Sequence, residues 1–202
     1  MKKNLIWSFL ISQAVYWFLF PVFLRSAYYL HPASYLMYYL VIFGVLAILV
    51  SFVRREQYVI PAFWIHAFMS VYGLLLLMLL FLRFEGNQNR EINLVPFQTI
   101  ELYLSNNVEP LISFYNLVAN IGLFIPFGIY LVLFHQSLWV KIVAPIVGIA
   151  AIETAQLITG RGSMDIDDFL LNLIGVWIGF AIGPLIRKTI RFPKMSEEKL
   201  KR

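Results

Sequence analysis

Long apolar runs dominate the pattern of hydrophobic and polar positions along this chain. Six of them are long enough to cross a hydrocarbon core of roughly 30 Å as helices of about 20 residues each. They cover residues 4–24, 34–53, 59–82, 113–134, 138–159 and 168–186. The first run is too long for the apolar region of a secretory signal, and no small-residue cleavage site follows it before Arg25, so we expect an uncleaved first helix. The pattern therefore predicts an all-α fold, a polytopic membrane helix bundle of about six transmembrane helices.

The composition indicates that most side chains face lipid or other helices rather than water. The chain of 202 residues is 60% hydrophobic and 13% charged, whereas soluble domains carry about 25% charged residues. We expect a single membrane domain over residues 1–202, with three N-terminal helices (1–82), an outer loop containing an interfacial segment (83–112), a three-helix core (113–186) and a basic cytoplasmic tail (187–202). The absence of cysteine excludes disulfides, thiolate metal sites and a cysteine nucleophile.

The distribution of basic residues predicts the orientation, because cytoplasmic segments of membrane proteins carry an excess of Lys and Arg. With both termini in the cytoplasm, four of the 16 basic residues lie outside: Arg25, Arg83, Arg90 and Arg161. The remaining twelve lie inside: Lys2, Lys3, Arg54, Arg55, Lys141, Arg187, Lys188, Arg191, Lys194, Lys199, Lys201 and Arg202. Although the net charge is +5, membrane topology explains the positions of the basic residues better than a nucleic-acid surface does, and we expect no nucleic-acid partner. Residues 93–100 of the outer loop are apolar but contain Pro96 and are too short to cross, so they predict an interfacial or re-entrant segment.

Polar side chains within the last three spans are the strongest functional signal, since such residues normally face the bundle interior and often mark function. Each span carries polar residues at a spacing that places them on one helix face. They are Asn116 and Asn120 in the fourth span, Glu153 and Gln156 in the fifth, and Asp165, Asp168 and Asn172 where the sixth begins. At 1.5 Å per residue, Asn120, Glu153 and Asn172 lie roughly 6–11 Å below the outer boundary, although the three helices alternate in direction. The sequence therefore predicts one polar cluster in the outer half of the bundle.

Glu153 is the centre of this predicted cluster, because a carboxylate within a span costs about 2–3 kcal/mol and needs a partner. Three arrangements remain open: Glu153 is protonated, it pairs with Arg161 at the mouth of the bundle, or it shares a divalent cation with Asp165 and Asp168. Oxygen ligands alone would favour Mg²⁺, Ca²⁺ or Mn²⁺, and we expect no other cofactor. A hydrogen-bond network that only locks the three helices together explains the same residues without a ligand.

Glycine recurs every fourth residue in the sixth span, at Gly175, Gly179 and Gly183. Small residues at this spacing allow a second helix to approach closely. The partner is either the fifth span, near Ala144 and Gly148, or the fourth span.

The motifs of the second half of the chain resemble, in their order, those of the VanZ-like family of bacterial membrane proteins. The matching pieces are Asn-Leu-Val-Pro-Phe at 93–97, Asn116 through Gly128, Glu-Thr-Ala-Gln at 153–156, and Arg161 through Gly175. Together they cover about residues 90–185. The resemblance implies a place in the bacterial plasma membrane and a role at the cell envelope, since the family takes its name from a protein that lowers susceptibility to teicoplanin.

Three functions follow from the residues and the resemblance. In the first, the outward-facing polar site binds a membrane lipid, a lipid-linked cell-wall precursor or an antibiotic without catalysis, with Asn116, Asn120, Gln156, Arg161, Asp165 and Asn172 as binding residues. In the second, the chain is a membrane enzyme acting on a lipid or cell-wall substrate, with Glu153 and Asp168 as its catalytic residues. Glu153 would be the general acid/base, Asp165 and Asp168 would hold a divalent cation, and Arg161 would hold a phosphate or carboxylate. A small transporter ranks last, because the inner half of the last three spans is almost wholly apolar.

Overall fold

The computed structural model describes residues 2–26, 33–55, 57–81, 92–105, 110–134, 137–161 and 164–193. Seven helices follow one another in these ranges: α1 (Lys2–Ser26), α2 (Ala33–Arg54), α3 (Ala62–Phe81), α4 (Gln98–Leu104), α5 (Pro110–Phe134), α6 (Leu138–Thr159) and α7 (Ile166–Arg187). Four strands of two residues each lie between or after them: β1 (Tyr58–Val59), β2 (Ile92–Asn93), β3 (Met164–Asp165) and β4 (Ile190–Arg191).

The predicted all-α polytopic bundle is confirmed. Over the described residues, α2, α3, α5, α6 and α7 are the five helices long and apolar enough to cross a membrane, and α1 contains the shorter apolar stretch Ile6–Pro21. Each predicted span falls on one of these six helices with its ends within three residues of the observed ones, and α6 has the predicted bounds. The agreement follows from the bilayer, whose thickness sets the length of an apolar helix. The cytoplasmic placement of both termini stays a prediction.

Helices α5 and α7 form the tightly packed centre of the bundle. A Cβ atom at Gly175 would collide with the carbonyl oxygen of Ile121, and one at Gly179 would collide with that of Ile125. These contacts advance together along both chains, so the two helices run parallel, and their backbones meet where only glycine leaves enough room. The glycine stripe therefore packs on α5, which is the fourth span, rather than on α6, where a Cβ at Gly148 would meet nothing within 4 Å.

Helix α3 packs beside this pair. Tyr72 is completely buried, and its hydroxyl donates to the carbonyl oxygen of Leu123 on α5 at 2.9 Å. The same apolar core continues through Met37 on α2, Phe124 on α5 and Val176 on α7. The hydroxyl thus finds an acceptor inside a region where an unpaired polar group would be costly.

Two short parallel strand pairs close the ends of the bundle. At one end β1 pairs with β4, joining the connection between α2 and α3 to the residues that follow α7. At the other end β2 pairs with β3, with Asn93 opposite Asp165. Neither pair was predicted, because two residues are too few to show the alternation by which a strand is read from sequence. The outer segment predicted as interfacial is β2 followed by α4, a helix that buries no residue fully.

Candidate functional site

The first turn of α7 holds the outer segment in place through Asp167. This residue is completely buried. Its Oδ1 accepts the backbone N–H of Phe97 at 2.6 Å, and its Oδ2 accepts those of Thr99 at 2.8 Å and Ile100 at 3.2 Å. The first N–H groups of a helix have no partner within it, and Phe97, which precedes α4 with a φ of 70°, provides no side-chain cap. A carboxylate from α7 therefore caps α4.

Asp167 was not among the predicted site residues. The available signal was its place in the run of three aspartates at 165, 167 and 168, since acidic residues are favoured in the first turn of a helix. Its three donors are backbone groups, and these leave no trace in a sequence.

Asp165 binds the same outer segment with its side chain. Its carboxylate accepts the hydroxyl of Thr99 at 2.5 Å and the amide of Asn93 at 3.4 Å. It also accepts the backbone N–H of Asp167 at 2.8 Å, which makes it the N-cap of α7. We call residues 92–105 the cap, because Asp165 and Asp167 together hold them over the end of the bundle.

Next to the cap, the structure brings together polar side chains of three helices: Asn120, Glu153 and Asp168. Glu153 on α6 is only 4% exposed. Its carboxyl group receives a hydrogen bond from the backbone N–H of Asp165 and lies close enough to the Asp168 carboxyl group for the two to interact electrostatically. Asp168 in turn accepts the side-chain amide of Asn120 on α5 at 2.5 Å.

Asn172 extends this group one helical turn deeper. It follows Asp168 by four residues on α7, so both side chains lie on the same helix face. Asn172 is 4% exposed, and its Oδ1 has no hydrogen-bond partner among the described residues. A buried acceptor without a donor is unfavourable by about 1–3 kcal/mol. We call Asn120, Glu153, Asp168 and Asn172 the inner cluster, and it contains one acceptor for which the described protein supplies no donor.

Besides Asp165, three predicted site residues lie outside the inner cluster. Asn116 donates to the hydroxyl of Tyr103 in the cap at 3.2 Å, and Gln156 donates to the carbonyl oxygen of Leu80 at the end of α3 at 3.3 Å. Arg161 is exposed, and the structure records no ion pair between it and Glu153 among the side chains it describes. Asn116 and Gln156 therefore tie the cap and α3 to the core.

The carboxyl groups are not arranged as a metal site. In the parts of the chain that the structure describes, no group of three or more His, Asp or Glu side chains is placed to hold a metal ion. Asp165 instead directs its carboxylate to Thr99, Asn93 and the first turn of α7. Of the three predicted cation ligands, Glu153 and Asp168 thus lie in the inner cluster, whereas the Asp165 side chain contacts the cap.

An open depression of about 690 Å³ is formed by the cap together with Asp165. Its lining combines β2, α4 and Asp165: Ile92, Asn93, Gln98, Thr99, Glu101, Leu102, Ser105 and Asp165. Asp165 is common to both regions, since its side chain lines the depression while its backbone N–H reaches Glu153.

The polar side chains of the site and of its contacts with the cap are mainly hydrogen-bond acceptors. Glu153, Asp165 and Asp167 are buried carboxyl groups, and none of them forms an ion pair with a basic side chain in the described ranges. Their recorded partners are backbone N–H groups, the Thr99 hydroxyl and the Asn93 amide. Such a site suits a ligand group that donates hydrogen bonds or carries positive charge.

Comparison with protein-family models matches residues 63–187 to VanZ/LLP1. The matched range begins in α3 and ends with α7, so it contains the cap, the inner cluster and the α5–α7 pair. It also includes almost all of α3, which lies outside the resemblance drawn from the motifs. No curated protein and no solved structure matches the chain.

Proposed function

Because the chain belongs to the VanZ/LLP1 family, we propose that it is a plasma-membrane protein of the bacterial cell envelope that lowers susceptibility to glycopeptide or related antibiotics. It acts by binding a lipid, a lipid-linked cell-wall precursor or the drug itself at the inner cluster. The cap and the depression that it forms with Asp165 provide the approach to that cluster from the outer face.

The observation that supports binding most directly is the buried and unpaired Oδ1 of Asn172, one helical turn from Asp168 on the same face of α7. A network that served only to lock helices together would be expected to satisfy its own members, because a partly satisfied polar network is worse than an apolar core. Here Asn120 supplies a donor to Asp168 and the backbone of Asp165 supplies one to Glu153, while Asn172 receives none from the described residues. A ligand that brings a donor would complete the network.

The outward direction of the site rests on charge. The inner cluster lies at the end of the bundle where β2 pairs with β3, and the opposite end carries Arg54, Arg187 and Lys188. Since basic residues concentrate on the cytoplasmic side, this distribution supports a cap that faces the outside of the cell, where glycopeptides and cell-wall precursors are met.

Separate substitutions of the site residues test this proposal. Glu153→Gln, Asp168→Asn and Arg161→Lys are expressed in a susceptible bacterial host, and the minimal inhibitory concentration of teicoplanin is measured at matched abundance in the membrane. We expect Glu153→Gln and Asp168→Asn to lose the protection given by the unmodified chain. Glu198→Gln is the matched control, because it makes the same change in the predicted cytoplasmic tail. Full protection by all three site variants would show that the cluster only packs helices.

Catalysis is the second candidate, favoured by the burial of the Glu153 carboxyl group. Among the described residues Glu153 has one recorded backbone donor and no basic partner, and a buried carboxyl group of this kind can serve as a general acid/base. In that case Glu153→Gln would abolish activity on a lipid or cell-wall substrate while leaving its binding unchanged. Loss of binding together with loss of protection supports the binding function instead.

A further inference from the structure

We propose that the group bound by the inner cluster is a primary ammonium, such as the head group of an ethanolamine lipid or the amino group of a soluble amine. This inference rests on the proposed function, because it names the chemical class of the ligand at the same site. The two sources present the same chemistry to the protein.

The charge of the site favours a cation. Glu153 is almost fully buried, and the carboxyl groups of both Asp168 and Asp165 interact with it electrostatically. These carboxyl groups would repel an anionic ligand group, such as a phosphate or carboxylate, at short range in a poorly solvated region. A positive charge would be attracted to them.

The hydrogen-bonding capacity of the site favours an ammonium among cations. An ammonium group has three N–H donors and no acceptor. The inner cluster provides the opposite set: the unpaired Oδ1 of Asn172 and the carboxyl oxygens of Glu153, for which one backbone donor is recorded. Asn172 and Asp168 are four residues apart and lie on the same face of α7. An ammonium group bound to Asn172 Oδ1 would therefore be a neighbour of the Asp168 carboxyl group.

Two other cations fit less well. A quaternary ammonium carries the charge but no N–H group, so it would leave Asn172 Oδ1 without a donor. A divalent metal ion needs several oxygen ligands at short range, and no such group of side chains is arranged in the described ranges. A primary amine should therefore be preferred over its trimethylated analogue, which is the property that an experiment can measure.

The test uses the full-length protein purified in mild detergent and exposed to mixed micelles containing equal amounts of phosphatidylethanolamine, phosphatidylcholine and phosphatidylglycerol with identical acyl chains. Retained lipid is quantified by mass spectrometry. We expect phosphatidylethanolamine to exceed phosphatidylcholine about tenfold, equivalent to about 1.4 kcal/mol, with little phosphatidylglycerol. A second arm titrates ethanolamine, with choline as its control, and follows thermal unfolding of lipid-stripped protein.

Variants locate the preference at the inner cluster. Glu153→Gln and Asn172→Leu should abolish the preference, and Asn172→Asp should retain it because it keeps the acceptor oxygen. Glu198→Gln, in the predicted cytoplasmic tail, should behave as the unmodified chain. Unfolding temperatures measured without ligand identify any variant that has lost its fold, in which case the ethanolamine and choline comparison on the unmodified chain decides. Preference for phosphatidylethanolamine identifies a lipid head group, whereas stabilisation by ethanolamine alone identifies a soluble amine.

Equal retention of the ethanolamine and choline lipids, together with equal stabilisation by the two soluble amines, would overturn the proposal. So would a preference that survives in Glu153→Gln, because the amine would then bind elsewhere. The proposed function fails separately: if Glu153→Gln removes the amine preference but leaves teicoplanin susceptibility unchanged, the ligand class stands and the resistance role does not.

Discussion

Replacement of Asp167 by asparagine should release the cap from the bundle. The side chain keeps its size, but one of its two acceptor oxygens becomes an NH₂ group that faces backbone N–H donors. In the folded chain Oδ1 accepts the backbone N–H of Phe97, while Oδ2 accepts the backbone N–H groups of both Thr99 and Ile100. The amide side chain, with its single oxygen, can therefore satisfy either the first donor or the other two, and never all three.

The size of the effect follows from these bonds. A hydrogen bond to a charged acceptor contributes about 1.5–3 kcal/mol, and the substitution removes one or two of them and weakens the remainder. We expect the free energy of opening the cap to fall by about 2–4 kcal/mol, which raises the open population about 30-fold or more. The apolar core is not touched, so α5 and α7 should remain packed.

The absence of cysteine from the chain makes this opening measurable. Ile100→Cys introduces one thiol in the half-buried first turn of α4, and the rate of its modification by a membrane-impermeant maleimide is compared with and without Asp167→Asn. Glu101→Gln in the same background controls for loss of a carboxylate in the cap. Thr99→Val removes the bond to Asp165 but not the Asp167 contacts, so it should accelerate labelling less.

An unchanged labelling rate in Asp167→Asn, with normal abundance in the membrane, would refute the argument that Asp167 holds the cap. A rate that rises equally in Glu101→Gln would show that the charge of the segment matters rather than the three hydrogen bonds.

Three further outcomes are expected. Gly179→Ala should lower the free energy of unfolding by about 1–3 kcal/mol through overpacking, because its Cβ would collide with the Ile125 carbonyl oxygen and lie 2.8 Å from Gly128 Cα. Gly148→Ala is the control and should be tolerated, since its Cβ would meet nothing within 4 Å. Thermal unfolding of the purified variants checks this, and equal stability of the two would contradict it. Tyr72→Phe should cost about 1 kcal/mol for the lost bond to Leu123, measured in the same way, and an unaltered unfolding temperature would mean that the bond contributes nothing net. In intact cells an impermeant thiol reagent should label Gln98→Cys but not Gln57→Cys, and the reverse pattern would invert the predicted topology.

Much of the fold could be predicted from the sequence because the bilayer imposes a simple rule on apolar runs. Helix α6 has the predicted bounds, and Gly160 ends it in the left-handed conformation, with a φ of 66°, as glycine commonly does after a helix. Which helix packs on which was harder. The spacing of Gly175, Gly179 and Gly183 identified a face of α7, but the choice of α5 over α6 depends on how the whole bundle is arranged.

The site was predictable to the same extent. Helical spacing and depth predict one polar cluster, because both quantities follow from the rise of a helix, and the structure places Asn120, Glu153 and Asp168 together. Asn116 and Gln156 satisfy the same pattern, yet they bind Tyr103 and the carbonyl oxygen of Leu80, partners supplied by the cap and by α3. Asp167 was overlooked because all three of its partners in the cap are backbone groups, which every residue type offers alike.

The burial pattern of α6 has a mechanical consequence. This helix buries Pro145, Ile149 and Glu153, a single row at four-residue intervals, against a parallel pair whose backbones are in direct contact at their glycines. Helices α5 and α7 thus form a closely packed pair, and α6 contacts this pair along a single row of buried residues that ends at Glu153. Sliding α6 along its own axis would change the separation of the Glu153 and Asp168 carboxyl groups while leaving the α5–α7 contact intact. We expect the affinity of the site for its ligand to depend on the position of α6, which local membrane thickness can alter.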